Sequence, residues 1–273
     1  KNEELKRYNH FRSFYFYIST KFRTLLVNQC YMIKLVAILF VLVGLVSCKK
    51  VDPEPPVENW CLVFEDQFDT LDEAIWEPTV DPNGITYRTD REENLRVDNG
   101  LLVMELHKEN YEGYEYTGTD IASNEYFLYG KFECRAKLPK ANKAWPAFWL
   151  LGSYDEYGVW PNCGEIDILE YWGNSAPNLY TNIHTKNSNW KNGRNRNEHS
   201  TSFSLPDATD EFHVYGLEWY KDRLEFYLDG SRYWTFNKTS DNWKKWPFDN
   251  PHRIVLQMFA GTDYEGSDAD LPD

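Results

Sequence analysis

Ten residues, Gly164 to Gly173, constrain the fold more than any other part of the chain. They read G-E-I-D-I-L-E-Y-W-G and place three carboxylates, Glu165, Asp167 and Glu170, among Ile166, Ile168 and Leu169. A helix turns about 100° per residue and would set Glu165 and Glu170 roughly 140° apart. A strand puts Glu165 and Asp167 on one face and Ile166 and Ile168 on the other, against a core. Strict alternation would then drive Glu170 into that core, where an unpaired carboxylate is costly. One extra residue between Asp167 and Glu170 removes the conflict. The sequence therefore predicts a β-bulge that returns Glu170 to the acidic face.

The rest of the chain reads in the same structural language. Short apolar or alternating runs are separated by turn residues, and no long 3.6-residue period appears. Trp60–Phe68, Asn94–Val97, Leu101–His107, Tyr129–Leu138, Trp145–Leu151, Leu179–Thr185, Phe212–Trp219, Leu224–Leu228, Arg232–Phe236 and Ile254–Phe259 are predicted strands. Asp98-Asn99-Gly100 and Asp229-Gly230 are the hairpin turns. Leu71–Trp76 is expected to make a short helical turn. Tyr111–Asn124 is expected to be a loop at the rim of a cleft, and Lys186–His199, centred on Trp190, a wall beside it. This pattern is that of an all-β sandwich.

Composition narrows the partners. The net charge of −14 argues against nucleic acid and against an anionic membrane surface. Cys61, Cys134 and Cys163 show neither a metal spacing nor a disulfide framework and read as buried small apolar side chains. His107, His199, His213 and His252 form no pattern of metal ligands, so no catalytic metal and no required cofactor is expected. The 11 Trp and 19 Tyr could serve a sandwich core or stack on sugar rings, and most are expected to be structural.

Two Glu side chains leaning together from one strand can bring their carboxyls to the roughly 5–5.5 Å separation of a retaining glycosidase, with one nucleophile and one acid/base. A carboxylate between them would keep their proton affinities apart. The alternative is a half-exposed strand with an acidic face and no chemistry.

The surroundings favour the chemistry. The runs A-W-P-A-F-W-L-L-G (Ala144–Gly152), W-P-N-C-G-E-I-D-I-L-E-Y-W-G (Trp160–Gly173) and I-H-T (Ile183–Thr185) together resemble glycoside hydrolase family 16, over roughly Trp60 to Leu256. The E-x-D-x-x-E spacing is similar to that family's bulged branches, laminarinases, agarases and carrageenases. The resemblance implies a jelly-roll sandwich of the concanavalin A type with a concave substrate cleft. It implies Glu165 as nucleophile, Glu170 as acid/base, and Asp167 as the residue that orients and tunes Glu165. Trp145 and Trp149 match the family's cleft tryptophans. Being four apart they share a strand face. Trp160 and Trp172 flank the acidic strand, and His184 matches the I-H-T histidine. Asn94 and Gln257 are weaker candidates for polar contact with substrate. The polysaccharide is expected to be a β-1,3- or mixed-linkage glucan. Alternatives are an agar-, porphyran- or carrageenan-type galactan, for which Lys186, Lys191, Arg194 and Arg196 would offer cations, and a non-catalytic glycan-binding protein. Transfer to a sugar instead of water is also compatible. The family's structural calcium, to which Asp66 and its neighbours could contribute, is left unassigned, and the chain is expected to be monomeric.

The amino-terminal part reads differently. Residues 1–31 precede Met32 and are read as an upstream segment outside the domain. Residues 32–47 carry a short apolar run, Leu35–Val46, suited to a signal peptide. Leu45-Val46-Ser47-Cys48 resembles a bacterial lipoprotein box, with Cys48 lipidated and the protein exported to the cell envelope, held there by lipid alone. Residues 48–59, with Pro53, Pro55 and Pro56, read as a tether. Residues 60–273 are assigned to the domain, whose family pattern would add one further strand of the D-Y-V-R-V-Y kind.

Overall fold

The structure, a computed structural model, describes residues 13–26, 60–192 and 199–261. Cys48, the leader, the tether, Arg194 and Arg196 lie outside the described residues.

Strands dominate: β1 (Ser13–Leu26), β2 (Cys61–Asp66), β3 (Trp76–Pro78), β4 (Pro82–Asn83), β5 (Thr86–Arg88), β6 (Leu95–Asp98), β7 (Leu101–Tyr111), β8 (Tyr114–Phe127) and β9 (Gly130–Lys137). They continue as β10 (Ala144–Gly152), β11 (Glu165–Glu170), β12 (Asn178–His184), β13 (Ser200–Ser204), β14 (His213–Trp219), β15 (Arg223–Leu228), β16 (Ser231–Asn237) and β17 (His252–Ala260). One sheet runs β13-β12-β11-β10-β17-β8-β3. The other runs β16-β15-β14-β9-β1, with β7 and β2 on the far side of β1 and β6 beyond β7. β8 is long enough to serve both, pairing with β7 and β5 near its start and with β17 and β3 later. The result is a jelly-roll sandwich. The sequence reading sets residues 1–31 outside the domain, whereas the backbone of Ser13–Leu26 pairs with three of its strands.

Large apolar side chains fill the space between the sheets. Phe148 and Leu150 from β10, Ile166, Ile168 and Leu169 from β11, and Ile254, Leu256 and Met258 from β17 meet Phe132, Leu217, Trp219, Leu224 and Phe226 from the other sheet. Each is fully or almost fully buried, and such burial stabilises by about 1.5–3 kcal/mol per large apolar side chain. Aromatic side chains such as Trp76, Trp219 and Trp246 serve this core, but among the described residues most Trp and Tyr lie outside it. Cys134 and Cys163 are buried and, like Cys61, free.

One local expectation changes. Tyr111–Asn124 is not a rim loop: Glu112 and Gly113, both at positive φ, turn β7 directly into β8. The run G-T-D-I-A-S, at 118–123, mixes polar and apolar residues without clean alternation because β8 passes from one sheet to the other. Leu71–Trp76 makes the short turn expected, with Ile75 and Trp76 N–H donating to the Asp72 carbonyl, before β3 begins.

Candidate active site

The bulge lies where the sequence places it. Asp167 sits opposite Asn182 and Glu170 opposite Tyr180, so Ile168 and Leu169 together face one partner residue. On the other side Asp167 faces Trp149 and Glu170 faces Ala147. Ile168 and Leu169 are both buried in the core. The extra residue satisfies two apolar side chains and returns Glu170 to the side of the sheet away from the core.

Register then builds the site row by row. The first row crosses the sheet as Arg253, Leu151, Glu165 and His184; the second as Val255, Trp149, Asp167 and Asn182; the third as Gln257, Ala147, Glu170 and Tyr180. Trp145 lies one step further along β10, opposite Phe259. Trp145, Ala147 and Trp149 share this face, as their spacing predicts.

Each acid has defined neighbours. Glu170 accepts a hydrogen bond from Trp145 Nε1–H at 3.2 Å on one oxygen and from the Asn182 amide on the other. Both donors favour a fixed carboxyl orientation. His184 Nε2 lies 3.2 Å from Asp167 Oδ2 and 3.5 Å from Glu165 Oε1. Burial first, then the neighbouring Asp167 charge, holds Glu165 well above the usual carboxylate range, while His184 pulls the other way. Asp167 is likewise raised, by burial and then by the charge of Glu170, and its hydrogen bond with Glu165 opposes that rise. Both carboxyls therefore hold a proton more tightly than exposed carboxylates do.

Indoles surround the acids. Trp145 packs 6.3 Å from Trp172, which lies 4.6 Å from Tyr180. Trp160 sits 6.2 Å from the His184 ring and 5.8 Å from Trp190, which is 62% exposed. The Lys191 ammonium lies over both of these indoles, 4.9 Å from the Trp160 ring and 5.3 Å from that of Trp190. The loop wall expected around Trp190 is thus present beside the acids in its described part.

The strand is aimed by glycine. Gly164 adopts φ +86°, and a Cβ there would stand 2.6 Å from Pro247 Cγ. Only glycine enters β11 at that angle without strain.

Of the predicted residues, Glu165, Asp167, Glu170, Trp145, Trp149, Trp160, Trp172, His184 and Gln257 come together here. Asn94 does not. It is fully buried and bonded to Thr89, Arg91, Thr117 and the Glu105 carbonyl, so it braces β6 and β7 and presents no surface to a ligand. Asp66 is engaged elsewhere as well. One of its oxygens accepts from Phe68 N–H and the other from Trp76 Nε1–H, both at 2.7 Å. Its carboxylate braces a turn. Asn182 and Tyr180 are site residues that the sequence reading omits. The signal for them is the alternation in Y-T-N-I-H, which places Tyr180 and Asn182 on the His184 face.

A jelly roll that carries paired carboxylates between indole faces has the build of a glycoside hydrolase. Comparison with known proteins agrees. Residues 82–271 match the profile of glycosyl hydrolases family 16, and the chain belongs to that family. It is 34% identical over 247 residues to a beta-glucanase of Rhodothermus marinus, covering 83% of this chain and 85% of that protein. It is 30% identical over 230 residues to a glucan endo-1,3-beta-glucosidase of Cryptopygus antarcticus, covering 77% and 83%. The solved laminarinase of Rhodothermus marinus superposes with a TM-score of 0.71 at 35% identity, covering 76% of this chain and 89% of that one.

Proposed function

We propose that this enzyme hydrolyses β-glucans internally, at β-1,3 or mixed β-1,3/1,4 linkages, with retention of configuration. The reading rests above all on one observation: Glu165 and Glu170 share one sheet face because of the bulge, with Glu170 held by Trp145 and Asn182. The names of the similar proteins supply the glucan. In the proposed first step a Glu165 oxygen attacks the anomeric carbon while Glu170 donates its proton to the departing glycosidic oxygen. Water, deprotonated by Glu170, then displaces Glu165 and releases the sugar. Asp167 hydrogen-bonds Glu165 and tunes it, and His184 positions that pair. Trp145, Trp149, Trp160 and Trp172 offer flat apolar faces to sugar rings, and Gln257 a polar contact.

The test is release of reducing ends from laminarin, barley mixed-linkage glucan, agarose and carrageenan, with Glu165→Ser as control. Release from the glucans supports the reading. Release from the galactans alone refutes the substrate, and retained glycan binding without release from any of them refutes the chemistry.

We also propose export as a lipoprotein with lipid on Cys48, motivated by Leu45-Val46-Ser47-Cys48. Cleavage there would remove β1. Radiolabelled fatty acid should enter the protein in a bacterial host and fail to enter the Cys48→Ser variant; equal labelling of both rejects the proposal.

A further inference from the structure

The proposed nucleophile and the two side chains that orient and tune it for hydrolysis also converge as a set of metal ligands. His184 Nε2 stands 3.2 Å from Asp167 Oδ2 and 3.5 Å from Glu165 Oε1, and one ligand atom from each of the three residues lies within 4.8 Å of the others. Asp167 Oδ2 is buried and has no hydrogen-bond partner, although the imidazole nitrogen is near. The two groups are close but not aligned as donor and acceptor. Both the His184 and Asp167 side chains are more than nine-tenths buried, whereas Glu165 keeps 17% of its side chain exposed towards the open face.

These spacings suit a metal ion. Zinc binds imidazole nitrogen and carboxylate oxygen at about 2.0–2.2 Å in a tetrahedron, which sets ligand atoms roughly 3.3–3.5 Å apart. A nitrogen with two carboxylate oxygens at 3.2 and 3.5 Å is nearly that edge length already. The ligands are also pre-positioned: Glu165 and Asp167 alternate along β11, and His184 faces Glu165 across the β11–β12 ladder. A fourth position would face the open side, where water or a substrate hydroxyl can complete the tetrahedron.

We propose that Glu165, Asp167 and His184 form an inhibitory site for a divalent transition metal ion, zinc foremost. The ion would sit between the two carboxylates and the imidazole and occupy the Glu165 oxygen that attacks the sugar. Zinc and glucan therefore compete. Affinity is moderate, because His184 Nδ1 has no partner to orient the ring, and such outer support is worth about 10–100-fold in metal affinity. The inhibitory half of this inference rests on the glucan-hydrolase reading; the binding half does not.

Calorimetric titration of the whole chain with zinc chloride in a non-chelating buffer tests the binding half. One zinc per chain is expected, weakened at least about tenfold in His184→Gln and in Asp167→Asn. His213→Gln is the control, since His213 has its own carboxylates, Asp229 at 2.8 Å and Asp207 at 3.4 Å. Its binding should match the unaltered protein. Circular dichroism of each variant confirms folding, and visible absorption of the cobalt(II) form should show four-coordinate bands that vanish in His184→Gln. Undiminished zinc binding by His184→Gln, or loss that follows His213→Gln instead, overturns the site. Zinc binding that leaves glucan hydrolysis unaffected overturns the inhibition. Zinc binding by a chain that hydrolyses no glucan would sink the proposed function and leave the metal site standing.

Discussion

Acid should weaken this fold through one histidine. His252 opens β17, the strand that carries Val255 and Gln257 beside Trp149 and Ala147. It is fully buried against the Trp219 ring at 4.9 Å and the Phe248 ring at 5.9 Å. Nδ1 bonds the Asn250 carbonyl at 2.6 Å, and Nε2 has no partner. Burial pushes the imidazole down from 6.5 to about 4, against the smaller upward pull of the Asn250 carbonyl. The sign follows from linkage. A depressed folded value means that the unfolded chain takes up the proton first, so the contribution is intact above pH ~6.5 and is lost as pH falls towards 4. At 1.36 kcal/mol per unit the loss is about 3 kcal/mol by pH 4. Urea melts followed by tryptophan fluorescence would compare the unaltered protein with His252→Gln, whose amide can still donate to the Asn250 carbonyl. At pH 7.5 the variant should be the less stable of the two. Between pH 7.5 and 4 the gap should shrink, or reverse, by about 3 kcal/mol, a relative midpoint shift of roughly 1–3 M urea. Paired carboxylates also titrate in this range, but they are common to both proteins and cancel in the difference. A gap that stays constant over the whole pH range would refute the burial argument.

Other substitutions probe the site more directly. Glu170→Gln should lower kcat by about 10²–10⁴-fold on glucans with natural leaving groups, read by reducing-end release. A deficit that disappears on an activated aryl glycoside, which needs no leaving-group proton, would mark Glu170 as the acid; an unchanged kcat on the polymer would rule it out. Asp167→Asn should cut activity and yet raise the thermal midpoint at neutral pH, because it removes a buried carboxylate with an unpartnered oxygen; a lower midpoint contradicts this. Gly164→Ala should destabilise by about 1–2 kcal/mol from the left-handed backbone, with additional strain against Pro247, and should depress kcat by shifting Glu165; unaltered melting and activity would disprove the fit. Trp149→Ala should raise KM for laminarin more than it lowers kcat, and a pure kcat effect would argue that this indole does not bind sugar.

The extent to which the sequence discloses this protein depends on how local each signal is. The bulge is legible because the conflict is local: the polarity order of Glu165 to Glu170 cannot be satisfied by an unbroken strand, and one extra residue resolves it. Trp145 and Trp149 follow from period two along one strand. The misplaced features depend on partners remote in sequence. Asn94 looks like a polar residue at the edge of a strand, and only its bonds to Thr117 and Glu105, from two later strands, make it a brace. β8 reads as a loop because its halves bury opposite environments in two sheets, which destroys the alternation a strand is recognised by. Asn182 sits between these extremes: its face is given by His184 two residues on, but its use is given only by Glu170 across the ladder.

The same ladder explains why the acids need the sheet and not merely one another. Glu165 and Glu170 differ in what faces them. Glu165 meets a second carboxylate, which raises its proton affinity, and an imidazole, which opposes that rise. Glu170 meets two N–H donors, an indole and an amide, which fix its orientation, while its charge acts on the nearby Asp167 carboxyl. The five-residue separation alone would make the two carboxyls equivalent. The inequality comes from β10 and β12 on either side, which set His184 across from Glu165, and Trp145 and Asn182 within reach of Glu170. Exchanging the donors tests this. Asn182→Asp would place an acid beside Glu170, and the resulting pair should resist losing its proton in the way that Glu165 and Asp167 do. The alkaline limb of the kcat profile should therefore move to higher pH, with kcat reduced. A profile that keeps its limb while kcat falls would mean that Asn182 only packs, and that the asymmetry of the two glutamates arises elsewhere.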